Sequence, residues 1–125
     1  MTYDAPVVLR IALVVLAAAA IGVLATRLRD HDRCAAAQAA VPPRVGELAA
    51  SCRDPDVLAG VSPTLLVAGR PDQALSLARE SVRRAPDSFI AWVALGFALR
   101  DRDPAGSRRA LARAKELNPR WQGLQ

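Results

Sequence analysis

The stretch GRPDQALSLARES, residues 69–81, and the proline that follows it at position 86 recur further along the chain in altered form. Ala74, Ala78, Ser81 and Pro86 are spaced by four, three and five residues, and so are Ser107, Leu111, Ala114 and Pro119. Residues at i, i+4 and i+7 share one face of a helix, so each copy reads as a helix with a small-residue face, ended by proline. The two prolines are 33 residues apart. A period of that length marks stacked pairs of helices, in which each unit buries its apolar face against a neighbour.

Composition agrees with helices. The chain has 26 alanines and 16 leucines against three isoleucines and three threonines, a bias toward helix over sheet. The fold class expected is therefore all-α. Sixteen of the 17 basic residues are arginine and the net charge is +5, a balance that raises nucleic-acid binding as a possibility. Against it, aromatics make up only 4% of the chain and the arginines are interleaved with Asp and Glu.

Upstream of the second copy lies AWVALGFAL, residues 91–99. Trp92, Leu95 and Gly96 stand at the spacing of the first-helix signature of the tetratricopeptide repeat (TPR) family, with Leu99 where that family usually has Tyr. The chain resembles a TPR protein over about 65 residues, strongly in its second repeat and less so in its first. The resemblance implies helix pairs A and B in residues 54–87 and 88–120, with Gly96 facing Ser107 or Ala110 where the helices meet. In the first repeat, helix A spans 55–68 and offers Leu58, Val61 and Ser62 at the signature positions. Pro63 is expected to kink that helix, or to restart it with Ser62 as N-cap. Two repeats bury little surface by themselves, so residues 30–53 are expected to form a divergent helical hairpin capping the stack. The tail, residues 121–125, carries Trp121 and Leu124, expected to fold back over the last helix or to mark a covered surface.

Ahead of these units, residues 5–26 read APVVLRIALVVLAAAAIGVLAT, interrupted only by Arg10. As a helix the segment is about 33 Å long, enough for a hydrocarbon core of about 30 Å. Arg10 lies one turn in, where it can snorkel to the headgroups. A cleaved signal peptide is the rival reading, because Val23-Leu24-Ala25 is an acceptable cleavage site. The charge-free core of 16 residues is long for such a peptide, which favours an anchor in residues 1–29. No Gly or Pro occurs between Val23 and Val41, so the helix is expected to continue as a stalk as far as Pro42-Pro43.

The topology signals conflict. Arg27, Arg29 and Arg33 follow the span while Arg10 precedes it, which by the positive-inside rule would keep the remainder in the cytoplasm. Cys34 and Cys52 argue for the other side. They flank the Pro42-Pro43 break almost evenly, on apolar stripes made by Cys34, Ala37 and Val41 and by Val45, Leu48, Ala49 and Cys52. A helical hairpin would place them opposite each other, and the bridge would close a 19-residue loop, worth about 3 kcal/mol. Two buried free thiols would satisfy the same pattern. The disulfide is the favoured reading, and with it a periplasmic or extracellular domain.

Catalysis finds no support. His31 is the only histidine, its neighbours Asp30 and Asp32 point to different sides of a helix, and Cys34 and Cys52 lack the C-x-x-C spacing of thiol oxidoreductases. No metal, cofactor or small-molecule substrate is expected. The TPR resemblance instead implies a protein-binding groove formed by helix A residues: Ala59, Pro63, Leu66 and Val67 in the first repeat, and Ile90, Val93, Phe97 and Arg100 in the second. The two-carboxylate clamp of some TPR proteins is not implied, since only Arg100 is available for it. The function expected is a membrane-anchored adaptor or scaffold that binds another protein of a membrane assembly, with the lipid bilayer contacted through residues 5–26. The alternative is a structural accessory subunit held mainly by its transmembrane helix, whose Ala17 to Ala20 and Gly22 suit close packing.

Overall fold

The computed structural model describes residues 5–123. These form six helices: α1 (Ala5–Ala39), α2 (Val45–Ser51), α3 (Pro55–Val67), α4 (Pro71–Arg84), α5 (Phe89–Leu99) and α6 (Pro104–Leu117). Among the described residues there is no strand, so the fold is all-α, with helical hairpins following one long apolar helix.

α1 is continuous for 35 residues, about 52 Å. Its apolar part packs against nothing among the described residues, and the helix is long and apolar enough to cross a membrane. The exposure of Val14, Leu16 and Ile21 is that of an apolar N-terminal helix that could be a membrane span or a signal sequence. Only beyond Arg29 does α1 meet the remainder of the fold.

At its far end α1 turns back into α2, with Arg44 N–H donating to Ala37 O at 3.1 Å. Cys34 and Cys52 are joined, and Ala37 and Leu48 are fully buried beside them. Val41 departs from the expected stripe. It sits in the turn and is 97% exposed, because the chain has left the helix after Ala39.

Helix pairs α3/α4 and α5/α6 are antiparallel. Their boundaries repeat as the sequence does. α4 and α6 are each 14 residues, begin with proline, and start 33 positions apart. The N-caps of α3 and α5 are Asp54 and Ser88, whose side chains accept from the N–H groups of Asp56 and Ala91. Small residues let the pairs approach. In the first pair Ser62 Oγ donates to Ala74 O at 3.0 Å; in the second Ser107 Oγ donates to Gly96 O at 2.7 Å. Ser62 corresponds to Gly96 and Ala74 to Ser107, so the same two positions are bonded in both pairs with the hydroxyl moved to the opposite helix.

Pro63 does not interrupt α3, and the N-cap is Asp54, not Ser62. The helix persists because Pro63 lies on the exposed side while Ser62 and Leu65 on either flank are buried. Packing there outweighs the lost backbone hydrogen bond. α3 is the centre of the domain. Leu58, Val61 and Leu65 pack with Ala37, Leu48 and Leu77 on one side, and Ala59 packs with Leu75, Ala78, Ala94 and Ala98 on the other.

Arg84 at the end of α4 ties the hairpin to the repeats. It donates to Ala49 O at 2.6 Å and Cys52 O at 2.7 Å, satisfying carbonyls left open at the end of α2. Glu80 holds its guanidinium through Nε at 2.7 Å and also binds Arg83. Hydrogen bonds from Arg83 and Arg84 lower the Glu80 carboxyl from the ordinary 4.5 to about 2, and the same contact raises Arg83.

Candidate partner-binding groove

The ends of α3 and α5 line an open groove of about 910 Å³. Its apolar wall is Pro63, Leu66 and Val67 from α3 and Phe97 from α5, with Arg100 and Arg102 at the rim. Local structure explains the opening. α3 ends in a Schellman turn: Gly69 has φ +71°, Gly69 N–H donates to Leu66 O and Arg70 N–H to Leu65 O. That turn, followed by Pro71 at the first position of α4, carries the chain sharply away and leaves the last turn of α3 uncovered. Val67 is consequently 92% exposed, an unusual state for valine within a folded domain.

Five of the eight expected groove residues meet here: Pro63, Leu66, Val67, Phe97 and Arg100. Ile90 and Val93 lie on the same stripe of α5 but nearer its start, outside this groove, with Ile90 exposed and Val93 half-buried. Ala59 requires a correction. It is 1% exposed, packed against Ala94 and Ala98 where α3 meets α5, so it spaces the two helices and offers no contact surface.

The rim is polar. The Arg100 guanidinium carbon stands 4.8 Å from the centroid of the Phe97 ring, a stacking worth about 0.5–1 kcal/mol at an exposed site. Arg102 is paired with Asp72 of α4. Gly69, Pro71, Ala98, Asp101 and Arg102 also line the groove, outside the set that the resemblance implies. The Gly69-Arg-Pro71 run was the available signal, since Gly before a Pro-initiated helix marks a sharp turn that leaves a helix end bare.

At the other end of the chain, Trp121 folds back. Its ring lies 5.3 Å from that of Phe89, edge to face, and it borders a small open pocket together with Leu111 and Ala112 of α6. Leu124 lies outside the described residues. His31 is solvent-exposed and 4.0 Å from Asp32. Among the described residues, no three His, Cys, Asp or Glu side chains gather at metal-binding distance. No protein-family model, curated protein or solved structure matches this chain.

Proposed function

We propose that this protein is a single-pass membrane adaptor of TPR-like build, anchored by residues 5–26, whose extracytoplasmic repeat domain docks another protein in the groove between α3 and α5. The observation that carries the reading is the groove itself: Val67, 92% exposed, and the half-buried Phe97 form an apolar wall beside the cationic Arg100. An extended or helical peptide with an apolar anchor and a carboxylate complements that pattern. The Cys34–Cys52 bridge supports placement in an oxidising compartment, against the arginine count around the span.

Crosslinking and pulldown from native membranes test it. Phe97→Ala should weaken capture of the partner by about 2 kcal/mol or more, since aromatic anchors dominate interface energies. Arg109→Ala, on the outer face and paired only loosely with Asp103 at 3.8 Å, should cost under about 1 kcal/mol. Undiminished capture by a folded Phe97→Ala protein would remove the groove from the account.

A second reading has its own support in the unburied apolar surface of α1, which would suit packing into a larger membrane complex. Under that reading a fragment from residue 30 onward fails to bind the partner, whereas the groove reading requires it to bind. A secreted form cleaved after Ala25 would be identified by the mass of the mature chain.

A further inference from the structure

We infer that one end of the repeat domain rests on the headgroup layer of the bilayer that α1 crosses. This end comprises the α2–α3 corner, the α4–α5 corner and the chain after α6. The inference rests on the reading of residues 5–26 as a membrane span.

Helix directions fix which end is which. α2 runs back toward the span, because the Cys34–Cys52 bridge brings its end beside α1. Arg84 reaches Ala49 and Cys52, so α4 ends where α2 ends. α3 is antiparallel to α4, with Ser81 Oγ donating to Pro55 O at 2.7 Å, and therefore starts at this same end. Ser88 Oγ donates to Asp56 Oδ1 at 2.7 Å and brings the start of α5 there. The Phe89–Trp121 contact adds the chain after α6.

The height of this end follows from the stalk. Arg53 Nη2 donates to Asp30 Oδ2 at 3.2 Å. Asp30 is four residues beyond Thr26, about 6 Å along the helix, and the headgroup region adds about 5–7 Å to each side of the hydrocarbon core. Arg27, the first residue past the apolar run, lines one cavity of about 820 Å³ together with Asp54 and Val57. The first turn of α3 therefore stands at the outer edge of the headgroup layer. A domain held there by a covalent bridge has the bilayer as its nearest neighbour.

The surface suits that neighbour. Phe89, Trp92 and Trp121 are half-buried at this end, and the Trp92 indole N–H is held by Pro86 O at 2.8 Å on the α4–α5 corner. Aromatic rings with a polar edge are enriched at membrane interfaces. Exposed Arg53 and Arg120 are interspersed with exposed Asp54 and Asp87. Charges of both signs complement a zwitterionic headgroup, which carries a phosphate and an amine, without demanding anionic lipid. The groove lies at the opposite end, with Arg102, Asp72 and the Arg109–Asp103 pair, and so opens away from the membrane.

Both tryptophans of the chain, Trp92 and Trp121, belong to the membrane-facing end, so intrinsic fluorescence reports on it directly. The full chain is reconstituted into phosphatidylcholine vesicles with and without a nitroxide on the headgroup, and retention is checked by flotation after an alkaline wash. The expected result is retention together with loss of tryptophan emission to the headgroup nitroxide. Trp92→Phe and Trp121→Phe variants then assign the loss to each ring. Phe97→Trp in a chain lacking both native tryptophans marks the groove end and should keep its emission. Retained but unquenched wild-type protein would overturn the docking while leaving the span intact, as would equal quenching at position 97. Release by the alkaline wash would overturn the span, and the docking with it.

Discussion

Replacing Gly96 with leucine strikes the close approach of α5 to α6. A Cβ on Gly96 would lie 2.6 Å from Leu111 Cγ and closer still to Cδ2, so any side chain forces Leu111 to move. Leu111 is half-buried and its tip can swing outward, at a cost of about 0.5–1.5 kcal/mol for a poor rotamer. Gly96→Ala should therefore be nearly neutral, because the helix gains about 1 kcal/mol when alanine replaces glycine. Leucine cannot be absorbed in that way. It adds three more carbons between α5 and α6, an overpacking of about 1–3 kcal/mol. It also strains the buried bond from Ser107 Oγ to Gly96 O at 2.7 Å, worth a further 0.5–1.5 kcal/mol or so. After the propensity gain the net loss is about 2 kcal/mol, a fall in Tm of roughly 8–16 °C for a domain of this size. Circular dichroism melts of the full chain in detergent micelles read it. Adding Leu111→Ala to Gly96→Leu should recover part of the loss, since neighbours that share space are coupled. A Gly96→Leu melt at the wild-type temperature would refute the packing of α5 on α6.

Arg84→Ala leaves the Ala49 and Cys52 carbonyls without their cationic donor and should lower stability by about 1.5–3 kcal/mol in urea titration, whereas Arg79→Ala on the exposed face of α4 should not; equal effects would contradict the tie between hairpin and repeats. Glu80 is held below its ordinary value by Arg83 and Arg84, so its contribution is complete above pH 4.5 and is lost as pH falls through about 2. Glu80→Gln should flatten the decline of the urea midpoint across that window, and an unchanged slope would show that Glu80 is not its source. Mass spectrometry without reduction should find Cys34 linked to Cys52, and reduction should cost about 3 kcal/mol; two freely alkylated thiols would return the topology to the arginine count.

The parts of the fold that were legible in the sequence are those set by local pattern. Proline-initiated α4 and α6 and the long apolar α1 follow from spacing, the pairing of Cys34 with Cys52 is the favoured of the two readings that spacing leaves, and the close approach at Gly96 is what the family resemblance implies. What escaped depends on contacts between elements. Ala59 looked like a groove residue because its register matched, yet α5 packs directly over it. Pro63 looked like a break because a single-helix argument does not include the burial of Ser62 and Leu65 on its flanks. Nothing distinguishes Arg84 from Arg79 or Arg83 in the sequence, and its role appears only once the end of α2 lies beside it. The exchange of hydroxyl between Ser62 and Ser107 was likewise hidden, because it requires knowing that both positions bond across the same interface.

Site-specific photocrosslinking in native membranes tests the central claim most directly. A photoreactive residue placed at Val67, 92% exposed on the groove wall, should give one dominant protein adduct, and the same residue at Arg109 on the outer face should give little. Adding Phe97→Ala should abolish the Val67 adduct while the domain stays folded. Adducts that form from positions such as Ala18 in α1, with none from Val67, would contradict the groove and place the partner contact in α1.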